Sequence, residues 1–315
     1  MRLLRGFRPG HLLNAIGLAL AGAMAIIPFA SDLSSRADLL TQFLLQAAAL
    51  TAISAAIMLL RHRWPSTTIY GLCLLVQIFH IQPALVPSSS AEAHVPTIRL
   101  LFSNLWADNT SRAAAISTIE RMNPDILVLA EFLRDWRKDA AALIASYPAQ
   151  ADCFNLSGCD VVILSRFPVS ATSTPADRWL RSRAVLADVD TPQGPLAVIG
   201  AHMTRPIPIG QVYHQERHAQ LITDLAAGVD GPTVLVGDFN AVPWGRVVHE
   251  IERNSRLTAH RGIQGTWPSA LPWPLRLPID QVLASNEVEI VSREVVNMPG
   301  SDHKAVLVEL RIKTR

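Results

Sequence analysis

The sequence predicts an α/β domain with mixed sheets, preceded by an N-terminal bundle of three transmembrane helices. Half of the 315 residues are hydrophobic and only 17% are charged, whereas soluble proteins average about 25% charged residues. The first ninety residues contain three long apolar stretches. After residue 95, short strand-like runs alternate with helical segments. We therefore expect a membrane anchor at residues 1–90 and a second domain at residues 95–315.

The composition excludes several other classes of protein. High hydrophobicity is not typical of an intrinsically disordered chain, and a formal net charge of +2 is not typical of a nucleic-acid packaging protein. Three cysteines are too few for a dense disulfide scaffold or a four-cysteine zinc site. Residues 1–90 carry six basic and two acidic side chains, whereas residues 91–315 carry 22 basic and 24 acidic ones. The second domain thus has an ordinary globular composition.

Three stretches, 11–30, 39–60 and 67–86, are long enough to be transmembrane helices, which need about 20 mostly apolar residues. The third is the weakest, because it contains Gln77 and His80. A buried helical bundle is the alternative, but none of the stretches has a polar face. The first could also be a cleaved signal peptide, although a signal anchor fits better because two more apolar stretches follow it.

The distribution of arginines predicts the orientation of these helices. Three arginines precede the first stretch and two follow the second, whereas Arg36 is the one basic residue between them. Because basic loops stay in the cytoplasm, three spans place the N-terminus inside and the second domain outside. If the third stretch does not cross, the domain lies in the cytoplasm instead. The Ser- and Ala-containing segment 88–92 is expected to be a flexible linker.

The second domain is predicted to contain nine strands and three helices. The strands are expected at 97–103, 125–130, 161–164, 184–190, 195–201, 233–236, 279–283, 288–295 and 305–310. The helices are expected at 111–122, 135–146 and 211–227. Some strands are consecutive and others are separated by helices, which favours mixed sheets covered by helices over a uniform doubly wound sheet.

Polar side chains cluster where these strands begin or end. They are Asn104, Glu131, His202, Asp238, Asn240, Asp280, Asp302 and His303. Any one of them could be an ordinary solvated strand end. These eight residues mark six strand ends, which together predict an active site at one rim of the sheets, where sheet proteins commonly build their sites.

The motifs around these residues occur in a fixed order over residues 97–310. They are Phe102-Ser103-Asn104-Leu105, Leu129-Ala130-Glu131, Leu164-Ser165-Arg166-Phe167-Pro168, Gly200-Ala201-His202, Gly237-Asp238-Phe239-Asn240, Ile279-Asp280-Gln281-Val282-Leu283 and Ser301-Asp302-His303. This ordered set resembles the endonuclease/exonuclease/phosphatase superfamily. The resemblance implies a four-layer α/β sandwich with two packed mixed sheets, and a metal-dependent hydrolase acting on phosphate ester bonds.

The resemblance also assigns a metal site. Glu131 would be the main ligand of a divalent cation, with Asn104 beside it and Asp302 completing the ligand set. Oxygen ligands favour Mg²⁺ or Mn²⁺ over zinc. Asp302 could instead be a turn or cap residue that does not contact a metal.

Five further residues receive catalytic roles. His303 would be oriented by Asp280, and Asp238 would position or deprotonate the attacking water. Whether Asp238 or His303 is the base stays open. His202 and Asn240 would hydrogen-bond the phosphoryl oxygens. The alternatives are a strand-end histidine at position 202 and an Asx-turn residue at position 238.

The resemblance extends to membrane-bound superfamily members associated with glycopeptide-antibiotic resistance. It implies a bacterial cytoplasmic (inner) membrane protein whose catalytic domain lies outside, with the lipid bilayer and a phosphorylated substrate as partners. A lipid-linked pyrophosphate is one candidate substrate, and nucleic acid is the rival. Trp106 stands where many nucleases of this superfamily have an acidic residue, and Gln281 where many members have histidine. A catalytically inactive binding protein is the third alternative.

Two loops carry further expectations. Cys153 and Cys159 could form a disulfide in an exported domain, or Cys159 could be a small buried residue, whereas Cys73 should stay reduced. Trp267 and Trp273 lie shortly before Asp280. They could face the bilayer, since tryptophan favours the membrane interface, or they could pack on the domain.

Overall fold

A computed structural model of the chain describes residues 9–31, 34–85, 97–175, 183–260 and 262–313. The chain divides into two units. One comprises Met1–Leu85 with Trp244–Arg246, and the other comprises Val86–Pro243 with Val247–Arg315. The predicted linker at 88–92 and the three N-terminal arginines lie outside the described residues.

The described residues of the first unit form four helices: α1 (Pro9–Ser31), α2 (Ser35–Thr41), α3 (Leu44–Leu60) and α4 (Trp64–Leu85). In the described residues, α1 and α4 are each long and apolar enough to cross a membrane. The predicted span at 39–60 is not one straight helix, because α2 and α3 are bent by 53° at a short break. The unit therefore has two candidate spans, or three if the bent pair counts as one.

Polar side chains accompany this break. The Thr41 hydroxyl donates to the backbone oxygen of Asp38 at 2.6 Å and to its carboxylate at 3.0 Å. Gln42 follows as the cap residue of α2 and is also buried. Such local side-chain bonds to the backbone compete with a continuous helix. Periodicity of apolar residues could not reveal the bend.

Helices α1 and α4 approach closely through a small residue and polar bonds. Gly17 faces the Tyr70 hydroxyl so closely that a Cβ would overlap it. The Tyr70 hydroxyl donates to the Asn14 backbone oxygen at 3.3 Å, and the Gln77 amide donates to the Ala21 backbone oxygen at 3.2 Å. Small residues and interhelical hydrogen bonds are the usual means of holding apolar helices together in a membrane.

The second unit contains two six-stranded sheets. The first has the order β11-β12-β1-β2-β4-β3. Its strands are β1 (Ile98–Asn104), β2 (Ile126–Ala130), β3 (Ala149–Asp152), β4 (Val162–Ser165), β11 (Val288–Val296) and β12 (Ala305–Ile312). The pair β1/β2 is parallel and the other neighbours are antiparallel.

The second sheet has the order β5-β6-β7-β8-β10-β9. Its strands are β5 (Val169–Ser173), β6 (Ala184–Thr191), β7 (Gly194–His202), β8 (Thr233–Asp238), β9 (Leu257–Ala259) and β10 (Asp280–Ser285). Here β7/β8 is the parallel pair. Both sheets are mixed, which confirms the predicted fold class.

Alternation of side chains along the strands produces the four layers. Leu100 and Phe102 of β1 join residues of the second sheet in the core between the sheets, whereas Leu101 points to the other face. That outer face packs against α5 (Arg112–Met122), α6 (Arg134–Asp139) and α7 (Ala141–Ala145). The outer face of the second sheet packs against α8 (Val212–Ala227) and α9 (Arg246–Asn254).

The topology brings the predicted polar residues to one edge. Parallel β1 and β2 end there, as do β7 and β8. The antiparallel strands β4, β10 and β12 begin at the same edge. Residues that follow β1, β2, β7 and β8 therefore lie close to residues that precede or begin β4, β10 and β12.

Some elements differ from the predictions. Strands β3, β5 and β9 and helix α9 were not predicted, and the helix expected at 135–146 is two short helices, α6 and α7. Four of the five residues of β5 are exposed, so that strand lacks the apolar alternation that identifies a strand in a sequence.

Candidate active site

An open cleft of about 620 Å³ lies at this edge of the second unit. Six of the eight predicted site residues line it: Glu131, His202, Asp238, Asn240, Asp302 and His303. The other two, Asn104 and Asp280, are almost completely buried and contact the lining residues. All eight residues thus come together, and their roles stay predictions.

Asp238 is the central carboxylate of the cleft. Its Oδ2 atom lies 3.2 Å from the Asn104 amide nitrogen, 3.6 Å from His303 Nε2 and 3.8 Å from His202 Nε2. Its Oδ1 atom accepts the backbone N–H of Asn240 at 2.9 Å. Burial raises the pKa of Asp238 to about 6, although His303 and His202 oppose that rise.

His303 is held by a buried carboxylate. Its Nδ1 atom lies 3.0 and 3.2 Å from the two oxygens of Asp280, which is wholly buried. Burial lowers the pKa of His303, but Asp280 and Asp238 outweigh it and raise the pKa to about 10. The arrangement fixes the ring and leaves Nε2 directed to Asp238.

A second carboxylate–histidine pair, which sequence reasoning missed, lies on the other side of Asp238. His202 Nδ1 is 2.9 Å from Asp160 Oδ2, and both side chains are buried. Burial opposes the charged forms, but the pair outweighs it, so the pKa of His202 is raised and the pKa of Asp160 is lowered. Arg183 Nη1 lies 3.8 Å from Asp160. Two such pairs therefore flank one carboxylate.

Two of the three predicted metal ligands, Asn104 and Glu131, are hydrogen-bonded to each other, and the third, Asp302, lines the cleft. The Asn104 amide donates to Glu131 Oε1 at 3.1 Å, and the Ala107 backbone donates to Glu131 Oε2 at 2.7 Å. Asp302 accepts the Trp267 indole N–H at 3.1 Å through Oδ2. Its Oδ1 atom is buried and has no hydrogen-bond partner in the described residues. A buried carboxylate oxygen without a donor, together with amide and carboxylate oxygens, fits a hard cation such as Mg²⁺.

A different set of ligand atoms is also close enough to hold a metal. Atoms of Asp238, Asp280 and His303 lie within 4.8 Å of one another in the described residues. His303 Nδ1, however, is already engaged by Asp280. The geometry of a hydrogen-bonded relay therefore describes these three residues better than a metal site does.

Backbone strain marks two of the site residues. Glu131 and Asn240 have φ angles of 55° and 50°, a left-handed conformation that is uncommon for residues other than glycine. Such strain is concentrated at functional sites. The Gln215 amide donates to the backbone oxygens of Phe239 and Asn240 at 3.0 and 2.9 Å and so supports the turn after β8.

The family follows from the sequence match. A model of the "Endonuclease/Exonuclease/phosphatase family" matches residues 101–303, which is more than half of the chain. The chain belongs to this family. Its members are hydrolases that act on phosphate esters with divalent metals. No curated protein matches the sequence.

Solved structures agree with the endonuclease/exonuclease/phosphatase fold. An endonuclease/exonuclease/phosphatase from Beutenbergia cavernae is 21% identical, with a TM-score of 0.53 over 69% of this chain and 72% of that one. D. rerio TDP2 in complex with a single-strand DNA product is 14% identical, with a TM-score of 0.56 over 69% and 100%. Sphingomyelinase C from Streptomyces griseocarneus is 17% identical, with a TM-score of 0.51 over 68% and 99%.

Two positions at which this family member departs from the usual motifs have clear environments. Gln281 is buried, and its amide donates to the backbone oxygens of Ala241 and Pro278 at 2.7 and 2.6 Å. It therefore supports the turn after Asp238. Trp106 lines the cleft and is 38% exposed, so it supplies an apolar surface where many nucleases have a carboxylate.

The glycine of the Gly-Asp-Phe-Asn motif has a packing role. Gly237 pairs with Ala201 across the parallel strands β8 and β7. A Cβ at position 237 would overlap the backbone carbonyl of Ala201. Any side chain there would push apart the two strands that carry Asp238 and His202.

The loop between Cys153 and Cys159 directly precedes Asp160, the carboxylate that the sequence analysis did not identify. Cys153 and Cys159 form a disulfide, and Cys73 is free. The bridge closes a short loop that ends next to Asp160. The alternative that Cys159 is only a small buried residue is therefore wrong.

Proposed function

We propose that this protein is a membrane-anchored phosphoesterase that uses Mg²⁺ or Mn²⁺ to hydrolyse a phosphate ester or pyrophosphate of a lipid-linked substrate outside the membrane. The observation that carries the proposal is the position of Asp238 between two carboxylate–histidine pairs. Oxygen ligands suited to a cation line the same cleft. This combination suits hydrolysis at phosphorus, where proton transfer and charge neutralisation are both required.

Asn104, Glu131 and Asp302 would hold the cation. When bound, the cation would polarise a phosphoryl oxygen and offset charge on the leaving oxygen. Asp302 would use its unpartnered Oδ1 atom, while the Trp267 indole N–H keeps Oδ2 in position. The Asn104 amide nitrogen donates to Glu131 and Asp238. Its oxygen accepts the Trp106 backbone N–H at 3.0 Å and would offer its second lone pair to the cation.

The chain's own residues would carry the proton and stabilise the phosphoryl group. Asp238 would accept a proton from water as the water oxygen bonds to phosphorus and the bond to the leaving oxygen breaks. His303 is the weaker candidate for the base, because Asp280 and Asp238 both favour its charged form. His303 and His202, each held by its carboxylate, would instead donate from Nε2 to phosphoryl oxygens. Asn240 would add a further donor.

Arginine and histidine side chains in the cleft lining support a substrate with more than one phosphate. Arg183, Arg205, His214 and His218 line the cleft together with His202. The orientation of His218 is fixed, because its Nδ1 atom lies 3.2 Å from the backbone nitrogen of Thr204. The guanidinium groups of Arg183 and Arg205 would bind the second phosphate of a pyrophosphate.

Exposed apolar side chains support a lipid. In the described part of the second unit, the large exposed hydrophobic residues are Trp106, Leu133, Ile207, Tyr213, Leu271, Trp273 and Leu275. Trp106 and Ile207 line the cleft, and Tyr213 adjoins the lining residue His214. Leu271, Trp273 and Leu275 lie between Trp267, which binds Asp302, and Asp280. Exposed apolar patches commonly mark interaction surfaces, so the exposed residues in and next to the cleft, Trp106, Ile207 and Tyr213, would contact the lipid surface together with Trp273.

Of the two tryptophans expected to face the bilayer or pack on the domain, Trp273 is the better candidate for bilayer contact. Trp273 is 59% exposed, whereas Trp267 packs into the site through Asp302 and the ring of His303. Nuclease activity is the rival function, and one structural neighbour was solved with a single-strand DNA product. The residues from 91 to 315 have a net charge of −2, which gives no electrostatic support for a nucleic-acid partner.

The substrate class can be tested with the purified full-length protein in vesicles containing Mg²⁺ or Mn²⁺. We expect hydrolysis of a prenyl pyrophosphate or phospholipid in preference to DNA. Trp273→Ala should lower turnover of the lipid substrate and spare a small soluble phosphodiester. Equal losses on both substrates would contradict lipid contact by Trp273, and a clear preference for DNA would overturn the lipid proposal.

The location can be tested separately. An external domain is supported by the five-to-one arginine asymmetry and by the Cys153–Cys159 bridge, since disulfides persist in oxidising compartments. Alkaline phosphatase fused after Arg315 should be active in cells, and a reporter that fluoresces only in the cytoplasm should be dark. The opposite pair of results would place the domain inside.

A further inference from the structure

A second cavity, of about 540 Å³, lies in the first unit where the start of α1, the end of α3 and the start of α4 meet. We call it the arginine pocket. Its lining residues are Gly10, His11, Asn14, Met58, Arg61, Arg63 and Ser66. The catalytic cleft has none of these residues in its lining.

Side-chain bonds and a tight turn fix the walls of this pocket. The Asn14 amide donates to the Ser66 hydroxyl at 3.0 Å and so joins α1 to α4. The α3–α4 turn is held by the Arg63 N–H, which donates to the Met58 carbonyl at 2.9 Å, with His62 in a left-handed conformation at φ 55°. This is the hydrogen-bond pattern of a Schellman helix end. It holds Arg61 and Arg63 at the pocket two positions apart.

No acidic side chain of the described residues pairs with the two arginines of the pocket, Arg61 and Arg63. Asp38 is the one acidic residue among the described positions of 9–85, and it accepts bonds from the Thr41 hydroxyl and the Arg246 backbone. Two guanidinium groups beside a cavity without a carboxylate favour an anionic ligand. Guanidinium is geometrically matched to phosphate, to which it can donate two parallel bonds.

We propose that the arginine pocket binds the phosphate of an anionic phospholipid headgroup. The pocket lies at the ends of apolar helices, where headgroups meet a membrane protein, and basic pockets between such helices bind anionic lipids. Its volume is within the range of ordinary ligand pockets. The Asn14 and Ser66 side chains supply polar contacts for the rest of the headgroup. The proposal depends on the membrane placement of these helices and not on any reaction in the catalytic cleft.

The test is lipid retention by the full-length protein purified in a neutral detergent. Native mass spectrometry would measure binding of added phosphatidylglycerol, with phosphatidylcholine and inorganic phosphate as the other two probes. We expect phosphatidylglycerol to bind in preference to phosphatidylcholine. The double variant Arg61→Gln/Arg63→Gln should lose about tenfold or more in affinity, because it removes charged hydrogen bonds.

Arg36→Gln is the matched control, because Arg36 is an exposed arginine of α2 that does not line the pocket. It should retain the lipid. An equal loss in Arg36→Gln would reduce the effect to general charge attraction and overturn the proposal. Full competition by millimolar inorganic phosphate, with no added affinity for the lipid, would also overturn it. Unchanged hydrolysis of a soluble phosphodiester would show that the variants are folded, and retention stays readable even if the proposed lipid substrate is wrong.

Discussion

The two carboxylate–histidine pairs beside Asp238 have similar geometry but different surroundings. His303 and His202 place their Nε2 atoms 3.6 and 3.8 Å from the same oxygen of Asp238. Asp280 holds His303 with both of its oxygens, whereas Asp160 holds His202 with one. The second oxygen of Asp160 is buried without a hydrogen-bond partner in the described residues, and an arginine lies nearby.

The difference indicates that the two pairs do different work. Arg293 lies beside the Asp280–His303 pair and donates to the Asp280 backbone oxygen at 3.2 Å. The Asp160–His202 pair is next to Arg183, whose guanidinium lies 3.8 Å from Asp160 and lines the cleft. We therefore expect the first pair to govern the chemical step and the second to govern how the phosphate is held.

The largest loss of activity should come from replacing Asp238 or His303, which are proposed to act in the chemical step. Asp238→Asn or His303→Ala should lower kcat by roughly a thousandfold or more, because each removes proton transfer or charge stabilisation. Chelation with EDTA should also abolish turnover. Steady-state kinetics on a soluble phosphodiester would measure both effects. Near-normal turnover in EDTA would contradict the metal mechanism, and near-normal turnover of His303→Ala would contradict its role.

The second-largest effect should distinguish the Asp280–His303 pair from the Asp160–His202 pair. Asp160→Asn should lower activity by about 10–100-fold, which is typical for a carboxylate that orients a functional histidine. Asp280→Asn should cost more in kcat, since both of its oxygens contact His303, whereas Asp160→Asn should also raise KM. Asp190→Asn, at an exposed position of β6, is the matched control and should be silent. If Asp160→Asn and Asp280→Asn changed kcat and KM identically, the proposed difference in role between the two pairs would be wrong.

The sequence could predict one of these pairs and not the other, for a physical reason. Asp280 begins an apolar strand and His303 directly precedes one, so both stand out at strand ends. Asp160 follows Gly158 and Cys159 in a loop, and its pairing with His202 depends on how two different sheets are stacked. One signal was present: Asp160 comes just before a predicted strand, in the position that Asp302 and His303 occupy relative to theirs.

A smaller effect should appear when the cysteine loop next to Asp160 is opened. Replacing Cys153 and Cys159 by serine should lower the free energy of unfolding by about 2 kcal/mol, as expected for a loop of this length. Activity should fall in the same manner as for Asp160→Asn, with a higher KM. Thermal unfolding and kinetics of the detergent-purified protein would measure both. Cys73→Ser is the control, and an equal loss of stability there would contradict the interpretation.

The smallest effect concerns how the stability of the protein changes with pH through His260. Burial and Arg293 lower the pKa of His260 to about 4, whereas the unfolded value is near 6.5. Between these values the unfolded state binds more protons, so stability should fall as the pH drops from about 6.5 to about 4. Because His260 is partly exposed, screening reduces the loss to about 1–2 kcal/mol. His260→Gln should lessen this loss, and an unchanged pH dependence of thermal unfolding would contradict it.

The fold was predictable where strands form continuous apolar runs, as strands buried on both faces do. The central strands β1, β2, β7 and β8 are completely or almost completely buried, and the sequence indicates each of them. The edge strands β3 and β5 are short and partly exposed, so backbone pairing rather than side-chain pattern defines them. The bend between α2 and α3 was missed because composition measures apolar length and not direction.

Gly237 has a consequence for how this protein can change over evolutionary time. Since any side chain at position 237 would meet the Ala201 carbonyl, the most recognisable glycine of the family motif performs no chemistry. Related proteins can exchange residues that line the cleft and so acquire new substrates. Position 237, by contrast, admits glycine alone as long as β7 and β8 stay paired. Invariance there would report the spacing of two strands, so a sequence alignment would overstate its catalytic importance.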